Sequence, residues 1–142
     1  MDKQEFEVLF MENFPPEFLR AARELYLENG WIDENASPDF PRNAFAGSFL
    51  VAAAFTSDGQ LAGVGRSLSD GVSDAFIQDV MTAKPFRRRG VGKLVTRALV
   101  EELKRRGIDW IGLVGVPGTE KFYASCGLVS APGHTLWMAE EA

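Results

Sequence analysis

The residues between Asp74 and Val116 switch from a strand pattern to a helix pattern and back again. Asp74 to Thr82 is compatible with a β-strand, and an amphipathic helix is predicted from Val91 onward, with Gly107 as its C-terminal cap. Trp110 to Val116 is a nearly continuous apolar run, which is typical of a strand covered on both faces. A strand, a helix and a strand in this order are joined by a right-handed crossover, so the two strands are predicted to be parallel.

Upstream of this unit, the pattern predicts a helix followed by antiparallel strands. A helix of about three turns is predicted to begin at Pro15-Pro16 and to stop at Asn29-Gly30. The region 32–43 is predicted to be an irregular connection with room for one short helical turn. Ser48 to Thr56 and Leu61 to Leu68 are strand candidates, and the Asp-Gly between them favours a hairpin turn.

Downstream, a short helix is predicted from Thr119 to Cys126 and a last strand from His134 to Met138. Because no repeat or linker interrupts the chain, residues 1–142 are predicted to form one domain. The predicted fold class is α/β (α+β), with a mixed central sheet that begins as an antiparallel meander and becomes parallel in the middle.

The composition argues against several classes of protein. A formal net charge of −5 disfavours a general nucleic-acid binder, which needs an excess of Lys and Arg. No apolar run approaches the roughly 20 residues of a membrane span, and the N-terminus lacks the pattern of a signal peptide. The single Cys126 cannot form an internal disulfide or a cysteine-rich metal site. We therefore expect a cytoplasmic protein with no metal and with no membrane or nucleic-acid partner.

The most informative local motif is Arg87-Arg88-Arg89-Gly90-Val91-Gly92, which lies between a predicted strand and a predicted helix. The first turn of a helix has unpaired N–H groups and partial positive charge, so it favours an anion. Gly90 and Gly92 allow a phosphate to approach the backbone, and the arginines offer donors that match phosphate geometry. The motif is not a P-loop because Leu94 follows Lys93, and it has too few glycines for a dinucleotide-binding turn. A basic loop without a ligand would oppose the helix dipole and is the less favoured interpretation.

Arg-x-x-Gly-x-Gly at the start of a helix, after an antiparallel meander, resembles the coenzyme A-binding motif of the GNAT superfamily of acetyl-CoA-dependent N-acetyltransferases. Phe122 to Leu128 resembles the aromatic-Tyr-x-x-x-Gly-Phe stretch after the fifth strand of that family. One departure is visible, because Pro85 directly precedes Phe86 where family members usually place the proline one residue earlier. The resemblance implies a GNAT-like sheet with a splayed parallel pair, helices on both faces, and transfer of an acetyl group from acetyl-CoA to a primary amine by direct attack on the thioester.

The resemblance also implies roles for particular residues. The main chain of Val80, Met81 and Thr82 is expected to bind the pantetheine arm and to polarise the thioester carbonyl. The segment from Arg87 to Lys93, which comprises Arg87, Arg88, Arg89, Gly90, Val91, Gly92 and Lys93, is expected to bind the diphosphate. Tyr123 is the candidate acid for the leaving thiolate, unless its ring only packs on the core. Asp79 is the candidate base, with a structural pair to an arginine, or a water relay of the proton, as alternatives.

Simple alternation along the strand that begins at Asp74 predicts which side chains share a face. It separates two sets, Ile77 with Asp79 and Met81, and Phe76 with Gln78 and Val80. Asp79 is then expected on the same face as its apolar neighbours Ile77 and Met81.

The acceptor and the assembly state are less determined by the sequence. The expected acceptor is an amine of a small molecule or a peptide, and the acidic composition favours cationic acceptors such as polyamines or amino sugars. Trp31 falls where the family often shapes its acceptor site, although an anchoring role at the surface is an equal alternative. A homodimer is compatible with the sequence. A non-catalytic module that binds acyl-CoA as a sensor or interaction domain is the alternative function.

Overall fold

The computed structural model describes residues 5–141 and is built on one central sheet. Its strands are β1 (Phe6–Phe10), β2 (Leu50–Thr56), β3 (Leu61–Ser69), β4 (Asp74–Thr82) and β5 (Trp110–Gly112). The strands lie side by side in the order of the chain; β1 to β4 are antiparallel to their neighbours, whereas β4 and β5 are parallel. The predicted mixed sheet is confirmed, but its parallel pair lies at one edge and not in the middle as predicted, because the described residues after β5 form no further strand.

Helices cover both faces of this sheet. They are α1 (Pro16–Glu28), α2 (Phe40–Ala46), α3 (Val91–Arg105) and α4 (Glu120–Ser125), with a 3-10 turn at Lys84–Phe86. Three of the helices match the sequence prediction, and α2 begins inside the region 32–43 that was predicted to be largely irregular. No helix within residues 5–141 is both long enough and apolar enough to cross a membrane.

Two hydrophobic layers hold the sheet, one under α3 and one under α1 and α2. On the α3 side, Val95 and Leu99 are fully buried. A Cβ at Gly65 of β3 would lie only 2.9 Å from Val95 Cγ1, so this strand needs glycine where the helix presses against it. On the opposite side, Tyr26 of α1 and Met81 of β4 belong to a second buried cluster. β4 therefore lies between the two layers, and it contributes side chains to both.

β4 and β5 separate after a short paired stretch. They pair at Asp74↔Trp110, Ala75↔Ile111 and Phe76↔Gly112, and β4 then continues to Thr82. Among the described residues, no strand pairs with β4 on this side beyond Phe76. The N–H and C=O groups that the second half of β4 directs to this side therefore face an opening instead of a neighbouring strand. This is the splayed pair that the resemblance implies.

β4 contains one extra residue relative to β3. Arg66 pairs with Gln78 and Val64 pairs with Met81, so Asp79-Val80 lies opposite a single residue of β3. This two-against-one arrangement is a β-bulge. Asp79 has a φ of 55°, in the left-handed region that residues other than glycine rarely adopt.

The bulge makes the simple alternation predicted for β4 wrong. Ile77 and Val80 pack with the cluster under α3, whereas Met81 packs with the cluster under α1. One inserted residue reverses the side on which every later side chain lies. Asp79 therefore does not share a face with both Ile77 and Met81.

Two strand predictions near the C-terminus also need correction. Trp110 to Val116 was predicted to be a strand covered on both faces, but β5 ends at Gly112, and Val114 and Val116 are exposed. His134 to Met138 was predicted to be the last strand, but these described residues form no strand. Trp137 is 87% exposed, which indicates that this segment has an apolar pattern without a neighbouring strand to pair with.

β1 is the element that the sequence pattern missed. It is five residues long and pairs with β2 from Phe6↔Thr56 to Phe10↔Ala52. Only Phe6 of this strand is buried, so the strand shows little of the alternation that would reveal it in the sequence.

Candidate functional site

The opening between β4 and β5 leads into a cleft of about 790 Å³. Its walls come from the second half of β4, the residues after β5, the N-terminus of α3 and one side of α4. Asn29 and Trp31, which follow α1, also line the cleft. The cleft therefore joins the predicted anion-binding segment to the strand that was predicted to bind the pantetheine arm.

The N-terminus of α3 opens into this cleft without a protein group to cap it. Gly90 precedes the helix with a φ of 82°, and it makes no side-chain capping hydrogen bond. The first turn contains no acidic residue. A Cβ built on Gly90 would meet nothing within 4 Å, so the space beside this glycine is open. The first amides of the helix and the helix dipole favour an anion at this end.

Cationic side chains surround this helix end unequally. Arg87, Arg88 and Lys93 line the cleft. Arg87 Nε also donates a hydrogen bond to the carbonyl oxygen of Thr82, 3.3 Å away, which connects the loop to the end of β4. Arg88 has a φ of 64°, so the loop turns sharply just before the glycine.

Arg89 lies outside the cleft lining, unlike its neighbours. Its guanidinium forms an ion pair with Glu5. It also lies 5.8 Å from the ring centroids of both Phe6 and Phe86, within the range of cation–π contact. The Arg89 side chain thus connects the loop to β1. The other cationic side chains, those of Arg87, Arg88 and Lys93, are the ones that line the cleft and could contact a ligand there.

The two glycines of the motif serve different purposes. Gly90 adopts the left-handed conformation, which explains its residue type. Gly92 instead allows close packing, because a Cβ there would lie 3.1 Å from Cζ of Phe122 on α4. Gly92 therefore brings α4, and with it Tyr123, against the start of α3.

The three residues predicted to bind the pantetheine arm divide between cleft and core. Val80 and Thr82 line the cleft, whereas the Met81 side chain is only 2% exposed and packs in the layer under α1. Only the main chain of Met81 can therefore take part. Such a role is compatible with its position on the part of β4 that has no strand partner beside the cleft.

Tyr123 lines the cleft from α4. Its ring meets Phe122 edge-on, with 4.9 Å between centroids, and a Cβ on Gly115 would lie 3.4 Å from its Cε2. Burial raises the pKa of the Tyr123 hydroxyl, and the nearby Cys126 acts in the same direction. The hydroxyl is therefore protonated at neutral pH, which is the form that a proton donor requires.

Asp79 is held by two hydrogen bonds to a single oxygen. The Tyr26 hydroxyl and Arg66 Nε each donate to Asp79 Oδ2 at 2.7 Å. The side chains of Arg66 and Asp79 are 15% and 20% exposed, so this ion pair is largely shielded from water. Burial of Tyr26, followed by the nearby charge of Asp79, raises the pKa of the Tyr26 hydroxyl well above its usual value. The geometry matches the structural alternative for Asp79, a carboxylate paired with an arginine.

Sequence patterns did not identify the two partners of Asp79. Tyr26 belongs to the apolar stripe of α1, where an aromatic residue is expected to be core. Arg66 is the residue whose position in the sequence could have indicated a buried ion pair, because it is the only charged residue in β3, LAGVGRSLS. A charged residue in a strand that is buried on both faces calls for a partner.

The cleft lining also includes apolar rings and side-chain amides. The rings are those of Trp31 and Phe76, and the amides are those of Asn29 and Gln78. Trp31 is 49% exposed, and its ring lies 6.4 Å from that of Tyr26. Asp79 is the only carboxylate among the described residues that line the cleft. Residues 5–141 contain no group of three or more His, Cys, Asp or Glu placed to hold a metal ion.

Fold and site together define an α/β protein in which a splayed sheet edge meets an uncapped helix N-terminus, which favours an anion. The chain belongs to the acetyltransferase (GNAT) family, whose sequence model matches residues 4–128. This confirms the family suggested by the two sequence motifs.

Two curated relatives and one solved structure illustrate these similarities. GCN5-related N-acetyltransferase 1, chloroplastic, of Arabidopsis thaliana is 40% identical over 67 residues, which cover 47% of this chain and 34% of the relative. Serotonin N-acetyltransferase 2, chloroplastic, of Oryza sativa subsp. japonica is 30% identical over 91 residues, covering 64% of this chain and 46% of the relative. The chain thus spans less than half of the length of either relative.

The fold extends to solved structures at low sequence identity. A GNAT-family protein from Xanthomonas campestris pv. campestris superposes with a TM-score of 0.77 at 20% identity, covering 99% of this chain and 96% of that one. Because identity is this low, the similarity shows the shared fold and leaves the acceptor open.

Proposed function

We propose that this protein is an N-acetyltransferase that moves an acetyl group from acetyl-CoA to a primary amine. The proposal rests most on one observation, the uncapped N-terminus of α3 at the mouth of the opening between β4 and β5. An anion-binding end continuous with an unpaired strand edge suits a molecule that has a diphosphate at one end and an amide-containing arm behind it. Membership of the GNAT acetyltransferase family supports the same proposal.

The residues that would hold the cosubstrate fit its chemistry. Backbone N–H groups of Gly90 to Lys93 and the side chains of Arg87 and Arg88 would bind the diphosphate. The main chain of Val80 to Thr82 would pair with the amides of the arm, because no strand occupies that side. When bound, acetyl-CoA supplies an activated acyl group as a thioester.

The chain's own groups would then serve the transfer. A backbone N–H in the bulged part of β4 would stabilise the charge that develops on the carbonyl oxygen, an effect of several kcal/mol in comparable sites. The Tyr123 hydroxyl, which is protonated at neutral pH, would give its proton to the departing sulfur. The acceptor must lose a proton as well, and because Arg66 and Tyr26 already occupy Asp79 Oδ2, we assign this step to water in preference to Asp79.

Four residues of the cleft lining support an acceptor with one amine on an apolar or planar body. Trp31 and Phe76 offer apolar surface, and Asn29 and Gln78 offer hydrogen bonds. The one carboxylate there, Asp79, is already paired with Arg66, so the described lining has no unpaired negative charge for a polyamine. One relative is named a serotonin N-acetyltransferase, and serotonin is an amine of this kind. The charges of the described cleft lining therefore favour this class over the polyamines that the acidic composition suggested.

A two-step experiment tests the proposal. Calorimetry with coenzyme A should show binding, and free thiol release from acetyl-CoA should depend on an added amine. The acceptor panel should contain an arylalkylamine, an amino sugar, a linear polyamine and a lysine peptide. Binding without thiol release with any acceptor would support a non-catalytic acyl-CoA-binding module instead. Absence of binding would refute both.

Whether the protein is cytoplasmic stays a prediction, since both curated relatives described above have chloroplastic in their names.

A further inference from the structure

The bulge in β4 requires an unusual backbone conformation at a residue that is not glycine. Asp79 has a φ of 55° in the middle of a central strand. Asp and Asn adopt this region more readily than other residues with a side chain, but they do so chiefly where surrounding contacts hold them. Something in the fold must therefore stabilise Asp79 in this conformation.

Two other elements hold the Asp79 carboxylate in place. Tyr26 reaches it from α1, and Arg66 reaches it from β3, both at 2.7 Å from Oδ2. Arg66 is itself fixed, because its Nη1 donates to Ser48 Oγ at 3.3 Å and to the carbonyl oxygen of Ala44 at 3.4 Å. Tyr26 is 1% exposed and belongs to the core. The bulge is thus tied to α1, to β3 and to the end of α2.

The bulge decides where the next three residues point. With the extra residue, Val80 packs toward α3 and Met81 toward α1; without it, the two would change sides. The main chain of the same residues forms the unpaired edge that faces the cleft. A shift of the bulge would therefore move the backbone groups that the cleft offers to a ligand.

We propose that Tyr26, Arg66 and Asp79 form a positioning network that fixes the bulge of β4 and thereby the backbone groups of Val80 to Thr82. The consequence for catalysis rests on the proposed function, in which these groups bind the arm and the carbonyl of acetyl-CoA. Asp79 is then a positioning residue that acts through the backbone.

The hydrogen-bond pattern supplies a discriminating substitution. Because both donors share Oδ2, the single carbonyl oxygen of an asparagine can accept both of them. Asparagine also tolerates the left-handed region. Asp79→Asn should therefore preserve the network, although it removes any capacity to act as a base. Asp79→Ala removes the acceptor and the tolerance together, and Tyr26→Phe removes one donor while keeping the ring.

The first measurement is hydrogen exchange of the free protein, which does not depend on turnover. Tyr26→Phe and Asp79→Ala should speed exchange of the amides in 78–82 by about tenfold or more, as expected when local opening becomes easier. Asp79→Asn should stay close to wild type. Phe45→Leu is the matched control, since Phe45 is equally buried in the same cluster but makes no bond to Asp79. If Phe45→Leu speeds exchange at 78–82 as much as Tyr26→Phe, or if Tyr26→Phe leaves it unchanged, the network does not fix the bulge.

The second measurement separates positioning from base catalysis. Tyr26→Phe and Asp79→Ala should lower kcat by about 10- to 100-fold, the scale of a misplaced reacting geometry, with the shape of the pH–rate profile retained. Asp79→Asn should keep most of kcat. A loss in Asp79→Asn of about 10²- to 10⁴-fold, the range of acid–base catalysis, together with loss of the basic limb, would overturn the proposal in favour of a base. If the wild-type protein binds no coenzyme A, the proposed function fails, and the exchange data alone decide the network. If Tyr26→Phe does not fold, Arg66→Lys replaces it in both measurements, with the same expected direction.

Discussion

Substitutions at the two ends of α3 can separate an effect on the proposed anion site from an effect on stability. Gly90 precedes the helix with φ +82°, and Gly107 follows it with φ +87°. In both places a new Cβ would meet nothing within 4 Å. Gly90→Ala and Gly107→Ala are therefore matched in strain and in space, and they differ in that Gly90 lines the cleft.

The expected magnitudes follow from this geometry. An L-residue in the left-handed conformation costs about 1–2 kcal/mol, so both variants should unfold at a temperature lower by several degrees. In Gly90→Ala, the methyl group would also enter the open space beside Gly90, a residue that lines the cleft where the diphosphate is proposed to bind. Losing one hydrogen bond from the first amides of α3 to a charged group costs about 1.5–3 kcal/mol. This corresponds to weaker binding by roughly 10- to 100-fold.

Thermal unfolding and calorimetry with coenzyme A measure the two effects independently. Gly107→Ala should lose stability and keep the wild-type Kd, whereas Gly90→Ala should lose both stability and affinity. Equal Kd values for the two variants, at equal loss of stability, would show that the N-terminus of α3 does not bind the ligand. That result would remove the main support for the proposed function.

Four further substitutions test individual side chains. Tyr123→Phe should lower kcat by about 10²- to 10⁴-fold, the range for a lost general acid, and should leave the Kd for coenzyme A nearly unchanged; undiminished turnover would contradict the acid role. Arg88→Ala should weaken coenzyme A binding about tenfold, as expected for one charge-assisted hydrogen bond. Arg89→Ala should bind coenzyme A almost as wild type, because the Arg89 side chain is engaged with Glu5 and two phenylalanines. A larger loss of affinity in Arg89→Ala than in Arg88→Ala would contradict these roles. Because the pKa of Tyr26 is raised, its hydroxyl stays neutral in the folded protein at a pH where it ionises in the unfolded chain. The free energy of unfolding should therefore fall above about pH 10, by up to about 1.4 kcal/mol per pH unit. Urea unfolding at increasing pH should show this slope, and Tyr26→Phe should remove most of it; a slope unaffected by the substitution would contradict the assignment.

Elements with a strong local pattern were predictable from the sequence. The apolar stripe of α3, the glycine after it and the basic motif before it all reflect interactions within about one turn of helix, so the residues themselves reveal them. The Asp-Gly turn between β2 and β3 is of the same kind. The prediction of an anion site at the N-terminus of α3 rests on such local features, so it could be made before the fold was known.

Features that depend on a distant partner were not predictable. The bulge at Asp79 arises from the register between β3 and β4, and nothing in the sequence of β4 alone marks the extra residue. The tie from Arg89 to β1 requires Glu5, more than eighty residues earlier in the chain. Leu136 to Met138 has the apolar composition of a strand, yet a strand forms only where a neighbour offers hydrogen bonds, and the described structure provides none there.

The short pairing of β4 with β5 also links occupancy of the cleft to the melting behaviour of the protein. The second half of β4 has one side on which no strand pairs, so its hydrogen-bonding groups there are left to water or to a bound molecule. An amide-bearing molecule in that position would complete the sheet as an additional strand does. Because such a molecule binds the folded chain alone, a concentration of 100 times its Kd would add about 2.7 kcal/mol to stability. Protein freed of any such molecule during purification is therefore the least heat-resistant form, and a rise in melting temperature is a direct way to search for what the cleft accepts.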